Sequence, residues 1–121
     1  MTLTRSFKET VQARVHRDAA FREALLAEAV DAFLSGDVET GKAVLRDFIN
    51  ATIGFERLGS ATGTPPKSLM RMFSPAGNPN ARNLFGVLGE LQKQSGVQLH
   101  AQSTKAVTPA QAGPPTVLGA T

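Results

Sequence analysis

Apolar positions fall at helical intervals through most of the chain. Phe7, Val11 and Val15 recur every fourth residue, which predicts one face of a helix over about residues 5–17. Asp18 can cap the free amides of a second helix. Phe21, Leu25, Leu26, Ala29, Val30 and Phe33 then form a band wide enough for burial on more than one side. Ser35-Gly36-Asp37 ends that helix and starts the next, with Gly36 suited to a left-handed cap and Asp37 to an N-cap. Val44, Leu45, Phe48 and Ile49 stripe a third helix over about residues 38–52, and Gly54 breaks it.

A short helix follows over about residues 55–62, with Gly63 after it. Pro65 and Pro66 are tolerated only in a first turn, so they open a helix that carries Lys67 through to Phe73. Pro75 closes it. A loop leads to a last helix over about residues 80–95, striped by Leu84, Val87, Leu88 and Leu91 and capped by Gly96. Val97-Gln98-Leu99 alternates, as a short strand would. The residues after 101 have little bulk to bury, which predicts a disordered tail over 100–121. The expected fold is therefore all-α, with five or six helices. It divides into an N-terminal helical extension over 1–37, a helical domain over 38–99 and the tail.

Composition narrows the chemistry. With 121 residues, 41% of them hydrophobic, the chain can bury one modest core. It has no cysteine, so a disulfide framework, a thiolate metal site and a cysteine nucleophile are excluded. No apolar run approaches the roughly 18 residues of a membrane span, and the first residues lack the apolar stretch of a signal peptide. A cytoplasmic location without membrane attachment is expected. His16 and His100 lie far apart and lack companions at ligand spacing, so both are expected at the surface and no metal is expected. No Ser-His-Asp order, phosphate loop or carboxylate pair supports an enzyme or a cofactor. Glu23, Glu28 and Asp31 read as the solvated face of the second helix, or as a face for a basic partner. Arg46 and Arg57 read as solvated charges.

The net charge of +3 is mild, but its distribution is uneven. Residues 64–99 carry Lys67, Arg71, Arg82 and Lys93 against Glu90 alone, and residues 57–89 contain no carboxylate. Such a stretch can approach phosphates without local repulsion, and its bases can release counterions. The bland rival is a chance run of neutral loop residues.

The stretch over 58–71 has the residue sizes of a helix-turn-helix. Leu58 packs the first helix, Gly59 admits a close crossing, and Gly63 frees the backbone for a tight turn. Thr64 and Leu69 face inward and hold the second helix. That leaves Pro66, Lys67, Ser68 and Arg71 outward. Arg71 can meet a guanine edge in bidentate fashion, Lys67 a guanine or a phosphate, and Ser68 either. Met70 can touch a thymine methyl, whereas Met72 and Phe73 read as packing. Asn78, Asn80 and Arg82 in and after the loop suit phosphate contacts that set a docking angle. Short helix, glycine turn and short helix also occurs in proteins that never touch DNA.

Residues 54–91, with Ser68-Leu69-Met70-Arg71-Met72-Phe73-Ser74, Gly77-Asn78-Pro79 and Asn83-Leu84 as the most specific part, resemble the Cro/repressor-type helix-turn-helix antitoxins. These are the HigA-like, Xre-like addiction module antidote proteins, whose DNA-binding fold is lambda-repressor-like. The resemblance covers residues 38–99 well and 5–37 more loosely. It implies a sequence-specific, usually dimeric DNA-binding protein that represses its own promoter and, in many relatives, neutralises a toxin encoded beside it. Two departures stand out. The family usually has Ala where Gly59 stands, and the substitution weakens that helix by about 1 kcal/mol. The double proline at the start of the second helix is also unusual, and it removes two backbone donors.

Three readings therefore stand. The chain is a DNA-binding antitoxin that acts as a homodimer on double-stranded operator DNA. Or it is a stand-alone or prophage regulator without a toxin. Or it is a helical interaction module, in which residues 1–50 bind a protein partner and the helix-turn-helix is only structural.

Overall fold

In the computed structural model, residues 5–106 are described, with side chains from residue 12 onward and at Thr10. Residues 107–121, most of the expected tail, lie outside the described residues, as do the side chains of Phe7 and Val11. Six helices follow one another: α1 (Arg5–Arg17), α2 (Ala19–Leu34), α3 (Val38–Ala51), α4 (Gly54–Thr62), α5 (Pro66–Met72) and α6 (Ala81–Ser95). There is no strand among the described residues, and none of the helices described is long and apolar enough to cross a membrane.

Local chemistry sets most boundaries. The Asp18 carboxylate accepts from the Phe21 amide at 3.1 Å and Asp37 from the Thr40 amide at 3.2 Å, so each satisfies a donor that a helix start leaves free. Asn80 does the same for α6, accepting from the Asn83 amide at 2.8 Å. At the other ends Gly63 and Gly96 adopt the left-handed conformation, with φ of 75° and 71°.

A single core joins α2 through α6. Leu26 and Ala29 of α2 pack with Leu45, Phe48 and Ile49 of α3, Phe55 and Leu58 of α4, Leu69 and Phe73 around α5, and Val87, Leu88 and Leu91 of α6. The second helix thus buries its apolar band in the same core as the helices after residue 37. The Phe33 ring covers Gly41, where a Cβ would stand 2.8 Å from ring carbons, so α2 and α3 lie close together there. Burying that apolar area is the main force holding the assembly.

The short strand expected at Val97-Gln98-Leu99 does not form. The segment lies against the core instead, with Val97 and Leu99 half-buried. One residue satisfies two of its three amides: Val97 N–H donates to the Gln92 carbonyl at 3.2 Å, and Leu99 N–H to Gln92 Oε1 at 2.8 Å. With no neighbouring strand to pair with, alternation here means packing and not a ladder.

Candidate nucleic-acid interface

α4 and α5 pack together across the short turn at Gly63-Thr64-Pro65. The Gly59 carbonyl ends α4 by accepting from both the Gly63 amide at 2.8 Å and the Thr64 amide at 3.2 Å. Gly59 is also where the two helices meet. A Cβ there would lie 2.7 Å from the Thr64 carbonyl oxygen and 3.1 Å from Cγ of Pro66. The Thr64 carbonyl, with the proline ring beside it, therefore occupies the space an alanine methyl would need. The missing methyl and the second proline are two halves of one contact.

The first proline has its own role. The residue before a proline is held away from helical angles. Pro65, with ψ of 139°, is thereby fixed in the extended conformation of an N-cap, and Pro66 follows at the first helical position. The pair stiffens the entry to α5 and leaves the amides of Lys67 and Ser68 as the free donors of the first turn, since Leu69 N–H already bonds the Pro65 carbonyl at 3.1 Å.

α5 has two distinct sides. Leu69 and the following Phe73 are fully buried, and Met72 is half-buried on the same core. Lys67, Met70 and Arg71 are exposed, at spacings that put them on one face, and Met70 leaves 45% of its surface in solvent. Ser68 and Pro66 are half-buried. Neither the Lys67 ammonium nor the Arg71 guanidinium has a hydrogen-bond or ion-pair partner among the described residues. Asn78 and Arg82 are exposed beyond the helix. Asn80 is exposed too, but its Oδ1 is spent on the α6 cap, so only its amide nitrogen remains free to donate outward.

What holds the turn after α5 was not evident in the sequence. Lys42 on α3 is 2% exposed, and its ammonium donates to the carbonyls of Ser74 at 3.1 Å, Pro75 at 3.2 Å and Gly77 at 2.7 Å. Glu39 stands 3.2 Å away as its counter-charge. Arg46, one turn further along α3, donates to the Phe73 carbonyl at 2.7 Å. The expectation that Arg46 is merely solvated is corrected: it satisfies a carbonyl at the end of α5. Cations at a helix C-terminus are favoured by its dipole as well as by the hydrogen bonds. Gly77 completes the arrangement, because a Cβ there would fall 1.8 Å from the Arg71 carbonyl oxygen. The segment leading to Asn78 and Asn80 is thus fastened to the underside of α5.

Electrostatics outside this face are simple. Hydrogen bonding to the Phe21 amide holds the Asp18 carboxyl below its ordinary value of 3.8, against the opposing effect of desolvation and with Arg14 helping. The hydroxyl and amide of Thr40 do the same for Asp37. No group of three or more potential metal ligands occurs among the described residues. His16 and His100 are both exposed.

The chain matches no family model, no curated protein and no solved structure.

Proposed function

We propose that this protein is a sequence-specific regulator that binds double-stranded DNA through a Cro/repressor-type helix-turn-helix, with α4 as its first helix and α5 as the helix that enters the major groove. One observation carries the reading. α5 buries Leu69 and Phe73 completely and turns Lys67, Met70 and Arg71 outward as free side chains, in the middle of a stretch without carboxylates. Arg71 serves base readout, Lys67 a base or phosphate, Met70 a thymine methyl and Ser68 a hydrogen bond of either kind. Asn78, the Asn80 amide and Arg82 contact phosphates and set the docking angle. Pro66 fixes the helix start beside them.

The proposal extends to a homodimer on a two-fold operator, as such motifs ordinarily read paired half-sites. The resemblance to addiction module antidotes adds the finer reading: repression of its own promoter and neutralisation of a toxin encoded by a neighbouring gene. A mobility-shift titration with the DNA upstream of its own gene, at low and moderate salt, tests the DNA reading. A shift that weakens steeply with salt supports it, and no shift even at low salt refutes it. Co-purification with the product of an adjacent small gene tests the antitoxin reading separately.

A further inference from the structure

A pocket of about 280 Å³ opens where α1, α2 and α6 meet the junction of α3 and α4. Val15, Ile53 and Leu91 give it an apolar floor, and His16, Arg22 and Arg57 bring three basic side chains from three helices to its walls. No carboxylate lines it among the described residues. The side chains of His16 and Arg57 have no hydrogen-bond or ion-pair partner among the described residues.

Arg22 is the informative member. Its Nη1 donates to the Val15 carbonyl at 2.8 Å and to the His16 carbonyl at 3.2 Å, which caps the end of α1. Its Nε is buried and has no acceptor among the described residues. A buried unmet donor is unfavourable, the more so on a cation, and native structures rarely leave one without a reason. Capping α1 accounts for Nη1, but not for Nε, nor for the convergence of Arg57 and His16. The pocket's hydroxyls are already committed. Thr52 donates to the Phe48 carbonyl at 2.7 Å and Ser95 to the Leu91 carbonyl at 2.6 Å. Gln94 Nε2 donates to Glu90 Oε2 at 2.7 Å and keeps a second N–H, so the charged donors left for a ligand are the guanidiniums.

We propose that this pocket binds a small organic anion, a carboxylate or a phosphate monoester, on the guanidiniums of Arg22 and Arg57. Guanidinium edges match both anions two donors at a time. The volume lies at the small end of ligand pockets, which suits a metabolite and not a macromolecule. Arg57 at the exposed rim makes the first contact, and engaging the covered Nε of Arg22 entails a rotation of that side chain. Thr52, Ile53 and Arg57 also lead into α4, so an occupant touches the support of α5. The assignment does not depend on DNA binding.

The test is a ¹H–¹⁵N correlation titration of the full chain without DNA, using citrate, inorganic phosphate and adenosine 5′-monophosphate, each at constant ionic strength against a chloride control. The expected result is saturable shifts at residues 15–22, 52–57 and 94–95 with at least one probe, and the preferred probe tells carboxylate from phosphate. Arg57→Gln, an exposed change that leaves the core untouched, is expected to weaken binding about tenfold, as for the loss of one charge-assisted contact. Three outcomes would overturn the proposal: no saturable shift, shifts confined to α5, or unchanged binding by Arg57→Gln. A fourth would as well, namely that Arg57→Gln weakens DNA affinity while no free anion binds, which makes Arg57 a contact to the DNA backbone.

Discussion

Lys42→Met keeps most of the apolar stem and removes the ammonium, which isolates what the buried charge contributes. The ammonium bonds three carbonyls at 3.1, 3.2 and 2.7 Å. Hydrogen bonds to a charged group contribute about 1.5–3 kcal/mol each, so a simple sum reaches roughly 4–9 kcal/mol. Two effects reduce it. Burying an ammonium itself costs several kcal/mol, a penalty the methionine avoids. The Ser74, Pro75 and Gly77 residues are exposed or half-buried, so water can reach part of the freed carbonyls. A net loss of about 2–4 kcal/mol results, somewhat below the roughly 3–5 kcal/mol for breaking a fully buried ion pair, since Glu39 is exposed. With a urea m-value of about 1–3 kcal/mol/M, the unfolding midpoint falls by roughly 1–4 M. The variant is also expected to bind DNA about tenfold more weakly under conditions where it remains folded, because the turn presenting Asn78 and Asn80 loses its anchor. A stability change under about 0.5 kcal/mol, the usual range for surface substitutions, would refute the reasoning, since the carbonyls would then be as well served by water as by Lys42.

The remaining predictions concern the turn and the caps. Gly59→Ala gains about 1 kcal/mol of helix propensity but meets the Thr64 carbonyl and the Pro66 ring, so urea unfolding is expected to show a net loss of up to about 2 kcal/mol. Pro66→Ala in that background recovers part of it, and full stabilisation by Gly59→Ala alone would contradict the contact. The carboxyls of Asp18 and Asp37 titrate below 3.8 in the folded chain, so their contribution is complete above that pH and is lost as the pH falls through the folded values. Acid unfolding followed by circular dichroism is therefore expected to be less steep in the Asp18→Asn/Asp37→Asn variant, whose caps do not titrate. An identical acid profile would count against the caps.

Features that depend on neighbours in sequence were legible. Asp18, Asp37 and the glycines at 36, 63 and 96 act within a few residues of themselves, and each sits where punctuation put it. The inward and outward sides of α5 followed from periodicity, with Leu69 and Phe73 buried and Lys67 and Arg71 exposed. What escaped depends on distant backbone. Lys42 looks like any surface lysine, because its partners are carbonyls 32 to 35 residues away and no side-chain pattern announces them. Arg46 escaped for the same reason. Pro66 and Gly59 depart from the family pattern at positions seven apart, and only the packing of α5 on α4 shows that the ring lies against the missing methyl. Val97-Gln98-Leu99 misled in the opposite direction. Alternation reports which side of a segment is buried, but a strand also needs a partner.

We propose that the exposed face of α5 reads DNA. Fluorescence anisotropy with the DNA upstream of its own gene, across a salt series, with the parent chain and Arg71→Ala, tests it most directly. If Lys67 and Arg82 of two protomers each meet a phosphate, log K falls against log salt with a slope of about −4. Arg71→Ala is expected to lose about 1–3 kcal/mol and to relax preference at a single base position, with the slope little changed. Uniform weakening across all sequences would make Arg71 a phosphate clamp, and no binding at low salt would contradict the account.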